Sequence, residues 1–172
     1  MSDIELIHKI KRGSHEALEQ LFESYQDGVR RMVMYTLGNK ECVDDVAQEV
    51  FIELQKSIQS YTERSKFSTW LFSLVRNVSL QYIRKHMSHT VPIEESHIVA
   101  LPADNSDRVI LQSALRKVES KYRDPLVLKE MEGFSYEEIA SILSIKEGTV
   151  KSRIHTAKQQ VLAILNKGGF ND

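Results

Sequence analysis

The sequence lacks three features that would each point to a familiar class of protein: several cysteines, a long apolar run and a strong net charge. Because Cys42 is the one cysteine among 172 residues, the chain can form neither an internal disulfide nor a zinc site built from several cysteines, which fits a reducing cytoplasm. No window approaches 18 apolar residues, and residues 1–13 carry charges rather than an apolar core, so we expect neither a membrane span nor an export signal. The net charge of −1 excludes a uniformly basic nucleic-acid binder, and DNA contact would need a local patch.

The sequence also lacks the motifs of common enzymes and metal sites. No glycine-rich phosphate loop, G-x-S-x-G elbow or H-E-x-x-H is present, and a lone cysteine is more often inert than catalytic. His86, His89 and His97 flank Pro92 in a stretch that offers no fixed geometry for a metal ion. We therefore expect no enzymatic activity, no metal and no cofactor.

A change of composition divides the chain into two helical blocks. Residues 87–110 contain two of the three prolines and set one arginine against four acidic residues, which is typical of an extended acidic linker. Outside this stretch helical periods dominate, and no strand alternation persists. The sequence predicts an all-α protein of two small helical domains, 1–88 and 108–172, joined by a flexible acidic linker over 89–107.

Apolar stripes define the helices of the first block. Ser14 is a plausible N-cap for the first of them. Three stripes with helical spacing predict three or more helices that share one core: Ala17, Leu18, Leu21, Phe22, Tyr25, Val29, Met32 and Val33; then Val43, Val46, Ala47, Val50 and Leu54; then Phe67, Trp70, Leu71, Leu74, Val75, Val78 and Tyr82.

In the second block, capping signals predict a four-helix domain that includes a helix-turn-helix. Asp124 followed by Pro125 reads as the start of one helix, which Gly133 ends. Ser135 and Ser144 are each followed three residues later by glutamate, a capping-box pattern that predicts two further helix starts nine residues apart.

The second helix of this pair has a polar face suited to a major groove. Residues 146–167 carry four lysines and one arginine against one glutamate, so cations could meet phosphate while polar tips meet base edges. An ordinary solvated surface helix is the alternative. The candidate DNA-binding residues are Thr149, Lys151, Ser152, Arg153, His155, Thr156, Lys158 and Gln159.

Read as strings, three segments resemble one family. EGFSYEEIASILSIKEGTVKSRIHTAKQQV resembles the promoter-binding region of extracytoplasmic-function (group IV, sigma-70 family) RNA polymerase sigma factors. CVDDVAQEVFIEL resembles that family's polymerase-clamp-binding helix, and FSTWLFSLVRNVSLQYIRK resembles its helix for the minus-10 element. The resemblance runs in order from about Ala17 to Leu165. It implies a sigma factor that binds core RNA polymerase and directs initiation at promoters by recognising minus-35 and minus-10 elements.

The resemblance also assigns roles to residues. It implies that the second apolar-striped helix docks on the β′ clamp of the polymerase, that the β subunit is a further partner, and that an anti-sigma factor controls the chain. For clamp binding the candidates are Asp44, Asp45, Gln48, Glu49 and Ile52. For the minus-10 element they are Arg64, Lys66, Arg76, Asn77, Arg84 and Lys85. Tyr61, Phe67 and Trp70 could edge a base pocket, but core packing is the favoured role for Phe67 and Trp70, which lie on the apolar stripe.

Two points remain open in the sequence. Thr156 and Lys158 stand where the family often has Arg-x-Arg, so we expect modest DNA affinity from the second domain alone. A transcriptional regulator, whose helical first domain binds a ligand or dimerises, could carry the same helix-turn-helix. The acidic face of the clamp-like helix favours the sigma factor.

Overall fold

The computed structural model describes residues 1–38, 40–86 and 107–168, apart from the Arg108 side chain, and over these ranges the chain is helical without any strand. The predicted all-α class is therefore confirmed. The expected linker, apart from Asp107, lies outside the described residues. The helices are α1 (Asp3–Lys11), α2 (His15–Leu37), α3 (Val43–Ser57), the 3-10 helix η1 (Ile58–Ser60), α4 (Phe67–His86), α5 (Asp107–Lys117), α6 (Ser120–Glu130), α7 (Tyr136–Leu143) and α8 (Glu147–Lys167).

Helix α2 is the centre of the first half and packs against α1, α3 and α4. It begins where the sequence predicts, because the Ser14 hydroxyl oxygen accepts a hydrogen bond from the Ala17 N–H at 3.2 Å. It ends at Gly38, which adopts the left-handed conformation (φ 69°) that favours glycine. The three predicted stripes supply the core, with side chains such as Val33, Leu54 and Leu71 fully buried.

Helix α1 is an element that the sequence patterns did not predict. Ser2 and Glu5 form a reciprocal capping box at its start, and Leu6, Ile7 and Ile10 are buried. These three apolar residues are spaced to fill one helical face, although the charges between them obscure the stripe. Over the described residues the first half therefore has four α-helices, within the expectation of three or more.

The second half is built around α8, which packs against α5, α6 and α7. The predicted helix start at Asp124 and Pro125 is wrong. Helix α6 begins at Ser120 after Glu119, whose carbonyl accepts the Tyr122 and Arg123 N–H groups, and Pro125 lies inside the helix. Asp124 caps nothing because its side chain is buried and accepts from the Thr36 hydroxyl of α2. Tertiary contact overrides the local signal here.

One of the two predicted capping boxes opens the helix-turn-helix. Ser135 and Glu138 form the expected box at the start of α7. The second box is wrong, because Ser144 closes α7 in the left-handed conformation (φ 54°) and Lys146 is the N-cap of α8. A residue that ends one helix in this conformation cannot also be the extended residue that begins the next.

The two halves pack against each other through α2 with α6 and α4 with α7. The Phe72 and Phe134 rings meet edge to face, with centroids 5.0 Å apart. Gly28 allows the halves to approach because it has no side chain. A Cβ there would lie 2.7 Å from a carboxylate oxygen of Glu132. Among the described helices none is long and apolar enough to cross a membrane.

Candidate DNA-binding and partner surfaces

The acidic face of α3 is exposed along its length. Helix α3 buries Val46, Ala47, Val50 and Leu54 and so turns its opposite side to solvent. Ile52 is 49% exposed on that side. The structure places all five predicted clamp-binding residues on this exposed side, and we call them the clamp face: Asp44, Asp45, Gln48, Glu49 and Ile52.

Within the clamp face, one residue is already engaged in an ion pair. The Asp44 carboxylate lies 2.7 Å from the Arg30 guanidinium of α2, with both side chains more than half exposed. An exposed pair of this kind contributes little to stability. A basic partner could therefore displace Arg30 at small cost.

The loop between η1 and α4, residues 61–66, presents two of the predicted minus-10 cations. Arg64 and Lys66 are exposed, whereas Tyr61 at the base of the loop is 4% exposed. Tyr61 packs against Phe67 and Trp70 with ring centroids 5.6 and 5.4 Å away. The favoured core role of Phe67 and Trp70 is what the structure shows, with Phe67 buried and Trp70 half-buried.

Helix α4 carries the other four candidates. Asn77, Arg84 and Lys85 are exposed along it, and Arg76 is half-buried. The basic residues Arg84, Lys85 and His86 occupy its last turn, where they complement the negative end of the helix dipole. The exposed cations and amides of α4 thus lie in its second half, separated from the 61–66 loop by buried and half-buried residues.

Two of these minus-10 candidates face the second half of the chain. The Lys66 ammonium lies 2.9 Å from Oε1 of Glu138 on α7. Arg76 lies near Asp124 of α6, where its positive charge opposes the rise in the pKa of that carboxyl. Contacts between the two halves therefore involve Lys66 and Arg76, two of the six predicted minus-10 residues.

Asp124 is the most buried carboxyl at the contact between the halves. Burial raises its pKa to about 6, and the charges of Arg123 and Arg76 offset this rise only in part. The Thr36 and Ser120 hydroxyls lie 3.5 and 3.4 Å from its Oδ2, while its Oδ1 has no hydrogen-bond partner among the described residues. Asp124 is therefore a buried carboxyl, at the contact between the halves, that titrates near pH 6.

A second ion pair joins the halves beside it. The Arg31 Nε of α2 donates to Oε1 of Glu132 at 2.5 Å, and Glu132 is about nine-tenths buried at its side chain. This hydrogen bond raises the pKa of the Arg31 guanidinium, which therefore stays charged.

The second helix of the helix-turn-helix, α8, turns most of its predicted DNA-binding residues outward. Its buried side is formed by Val150, Ile154, Ala157 and Val161. The remaining face is polar, and most of it is exposed. Lys151, Ser152, His155, Lys158 and Gln159 are exposed, and Thr149, Arg153 and Thr156 are half-buried.

Acidic neighbours accompany both lysines of this face. The Lys151 ammonium lies 3.0 Å from Glu147 one turn earlier, and the Lys158 ammonium lies 2.9 Å from Glu130 at the end of α6. The hydrogen bond with Glu130 raises the pKa of Lys158, so its charge is retained. Arg153 is the basic residue of the predicted set on α8 for which no such pair is formed within the described residues.

Sequence reasoning missed the residues that join distant segments. Lys11 contacts the 61–66 loop, Arg31 contacts Glu132, and Asp124 contacts α2, each across many residues of sequence. Periodicity reports only which face of a helix is buried. No local pattern could have paired these side chains.

Both halves match models of known domains. Residues 21–89 match Sigma-70 region 2, and residues 108–161 match Sigma-70 region 4. Helix α1 lies outside both matched ranges. The clamp face and the minus-10 candidates fall within the first match, and α7 with most of α8 falls within the second.

Whole-chain relatives agree with these domains. The chain is 33% identical over 170 residues to the ECF RNA polymerase sigma factor SigW of Bacillus subtilis, covering 89% of this chain and 91% of that protein. It is 30% identical over 178 residues to the ECF RNA polymerase sigma-E factor of Escherichia coli K12, covering 94% and 93%.

Solved structures share the fold. CnrH in complex with the cytosolic domain of CnrY aligns with a TM-score of 0.72 at 21% identity, covering 96% of this chain and 97% of that one. Sigma factor RpoE in complex with the anti-sigma factor NepR from Bartonella quintana aligns at 0.74 and 24%, covering 86% and 96%. Together with the relatives, the matches place the helix-turn-helix in a two-domain promoter-directing protein rather than in a one-site regulator. The chain belongs to the ECF RNA polymerase sigma factors.

Proposed function

We propose that this sigma factor binds core RNA polymerase through the clamp face and contacts promoter DNA at two separate sites. Residues 1–88 would bind the β′ clamp and the minus-10 element, and residues 108–172 would bind the minus-35 element, with 89–107 passing between them along the β and β′ subunits. The chain itself would catalyse no reaction, since the polymerase performs the chemistry. It would act in the cytoplasm, where its polymerase and promoters are.

The observation that carries the proposal is the exposed acidic face of α3. The core of the first half is complete without these side chains, yet they form a continuous polar surface with Ile52 exposed at its end. Carboxylates around one exposed aliphatic suit a basic partner helix, because charge steers the encounter and the apolar contact adds affinity.

The minus-10 assignment rests on the kinds of side chain that the loop and α4 present. Arg64, Lys66, Arg84 and Lys85 provide cations for phosphates, and Asn77 provides an amide that can hydrogen-bond to a base edge. Arg76 would join them when it is released from the neighbourhood of Asp124.

The minus-35 assignment rests on α8. Its polar face is exposed over about three turns, and α7 supports it from behind through Ile139, Ile142 and Leu143, all buried. A helix so supported can lie in a major groove, with Lys151, Arg153 and Lys158 on phosphate and Ser152, His155 and Gln159 towards bases.

Transcription reconstituted in vitro tests the proposal. The full-length chain would be mixed with purified core RNA polymerase and a library of random-sequence DNA, and the transcripts would be sequenced. We expect transcripts that start downstream of a shared pair of elements. Absence of promoter-dependent transcripts would contradict the proposed function.

A charge-reversal pair tests the clamp face within the same assay. Asp45→Lys with Glu49→Lys should abolish core binding, measured by fluorescence anisotropy, because two attractive charges become repulsive. Glu19→Lys with Glu23→Lys is the matched control, since both residues are exposed acids on α2 that lie outside the clamp face. Equal core affinity for the two variants would show that the clamp face is misassigned.

Control by an anti-sigma factor is a further part of the proposal. Among solved structures that share this fold, CnrH was determined in complex with the cytosolic domain of CnrY, and sigma factor RpoE in complex with the anti-sigma factor NepR. We expect a comparable partner to cover surfaces of this chain that the polymerase or promoter uses. Co-purification of the tagged chain from its own cells, with and without core polymerase present, would identify it.

A further inference from the structure

Helix α1 makes polar contacts with the 61–66 loop that the core does not require. The Lys11 ammonium donates to the Tyr61 carbonyl oxygen at 2.6 Å, in a partly buried position. The Gln59 amide donates to the Lys11 carbonyl at 3.4 Å. The last turn of α1 is therefore fixed to the chain segment where η1 ends and the loop begins.

A second contact reaches the strained residue of the loop. Glu63 adopts a left-handed backbone (φ 59°), which is disfavoured for a side chain other than glycine or asparagine. Its carboxylate lies 3.1 Å from Nε2 of His8 on α1. Helix α1 thus contacts the loop at its most disfavoured residue as well as at its start.

Tyr61 closes the loop from the other side. Its hydroxyl donates to the Ser65 carbonyl at 2.6 Å, and its ring lies buried between Phe67 and Trp70. Tyr61 thus fixes the start of the loop through its carbonyl, which accepts from Lys11, and the end of the loop through its hydroxyl, which donates to Ser65. Arg64 and Lys66 are exposed on the segment that results.

We infer that α1 holds the 61–66 loop in the shape that receives the separated strand of the minus-10 region, with Lys11 as a positioning residue. The inference rests on the proposed function. A loop held in one conformation loses less entropy when it captures single-stranded DNA, so the contact acts on strand opening. Lys11 itself touches the loop backbone and not the DNA.

Three substitutions in α1 test the role of Lys11. Lys11→Met keeps the length of the side chain and removes the charge-assisted hydrogen bond. Lys11→Arg keeps a cationic donor. Lys9→Met removes the same charge from an exposed position of the same helix, so it controls for net charge near the promoter.

The measurements separate positioning from folding. With holoenzyme assembled from core polymerase and the full chain, we would measure core affinity, thermal unfolding, and the rate of promoter opening by 2-aminopurine fluorescence in the minus-10 region. Lys11→Met should open the promoter roughly tenfold more slowly, while its core affinity and melting temperature stay close to wild type. Lys11→Arg and Lys9→Met should open at nearly the wild-type rate.

Several outcomes would overturn the inference. Opening by Lys11→Met at the wild-type rate would do so, as would an equal defect in Lys9→Met. A Lys11→Met defect matched by loss of core affinity and melting temperature would show a merely structural role. If the wild-type holoenzyme opened no promoter, the proposed function would fail as a whole, which is distinguishable because it requires no variant.

Discussion

Glu130 shows how a single carboxylate can restrain the proposed DNA-binding surface. It lies 2.9 Å from the ammonium of Lys158, a residue proposed to contact phosphate. Any phosphate that approaches Lys158 must compete with this carboxylate and is itself repelled by it. The sequence at Thr156 and Lys158 already predicts modest DNA affinity. The pairing of Lys158 with Glu130 is a second reason to expect it.

We predict that Glu130→Gln strengthens binding to a minus-35 duplex. Removal of the negative charge frees Lys158 and ends the repulsion, so affinity should rise several-fold at low salt and depend more steeply on salt concentration. Anisotropy titrations of the full chain at several salt concentrations would measure both. Glu119→Gln, an exposed acid that pairs with Lys121 on α6, is the control and should change neither.

Asp124 makes stability depend on pH in a predictable direction. Its pKa in the folded chain is about 6, above the ordinary value of 3.8, because burial disfavours the charged form. The folded state therefore binds this proton more tightly than the unfolded state. The contribution of Asp124 to the free energy of unfolding is fully present below about pH 4 and is lost as the pH rises through 6.

We predict that Asp124→Asn flattens this dependence. Between pH 5 and pH 7 the free energy of unfolding of the wild type should fall relative to that of the variant by about 1 kcal/mol. Urea unfolding followed by circular dichroism at both pH values would measure the difference. A constant difference between the two proteins would mean that Asp124 does not titrate in this range.

At the scale of elements, helix α7 depends on one hydroxyl. The Ser135 hydroxyl oxygen accepts a hydrogen bond from the Glu138 N–H at 3.1 Å, and the Ser135 N–H donates to the Glu138 carboxylate at 2.8 Å. Because α7 has only eight residues, its start is a large share of its length. Helix α8 rests on it.

We predict that Ser135→Ala lowers the free energy of unfolding by ~1 kcal/mol, the usual effect of losing such a cap. Weaker support for α8 should also reduce affinity for the minus-35 duplex. Ser141→Ala makes the same chemical change at an exposed position of α7 and should leave both quantities near wild type. Unchanged stability in Ser135→Ala would show that Glu138 and solvent suffice to cap the helix.

The elements also show what could be predicted from sequence. Apolar stripes gave α2, α3 and α4 because their buried faces are long and regular, and Ser14 and Ser135 marked helix starts because nothing competes for those hydroxyls. Asp124 and Ser144 misled because one is recruited by α2 and the other is needed to turn the chain. The candidate surfaces were predictable as exposed faces, but their pairings, such as Lys66 with Glu138, depend on tertiary packing that no local pattern encodes.

At the scale of the whole molecule, the halves meet through a partly polar contact. Gly28 lies within it, where a Cβ would come 2.7 Å from Oε2 of Glu132 and 3.0 Å from the Phe72 ring. Both neighbours belong to the contact, since Glu132 pairs with Arg31 and Phe72 packs on Phe134. A methyl group here would press on the ion pair and the aromatic pair together.

We predict that Gly28→Ala weakens the contact between the halves without harming the first one. Alanine favours helix over glycine by roughly 1 kcal/mol, so α2 itself should be at least as stable. Small-angle X-ray scattering of the free chain should show a larger radius of gyration than that of the wild type. Gly148→Ala is the control, because nothing lies within 4 Å of a Cβ at that position. Identical scattering from all three proteins would mean that the contact absorbs the methyl group.

The carboxylate of Glu138 divides its work between its two oxygens. Oε2 accepts the Ser135 N–H and completes the cap of α7, whereas Oε1 faces the Lys66 ammonium of the other half. A phosphate that takes Lys66 away, as the proposed promoter contact requires, leaves the cap in place. Lys66 can therefore leave Glu138 and bind DNA while the helix-turn-helix stays folded. By thermodynamic reciprocity, whatever strengthens the grip of DNA on Lys66 loosens the hold of one half on the other to the same degree.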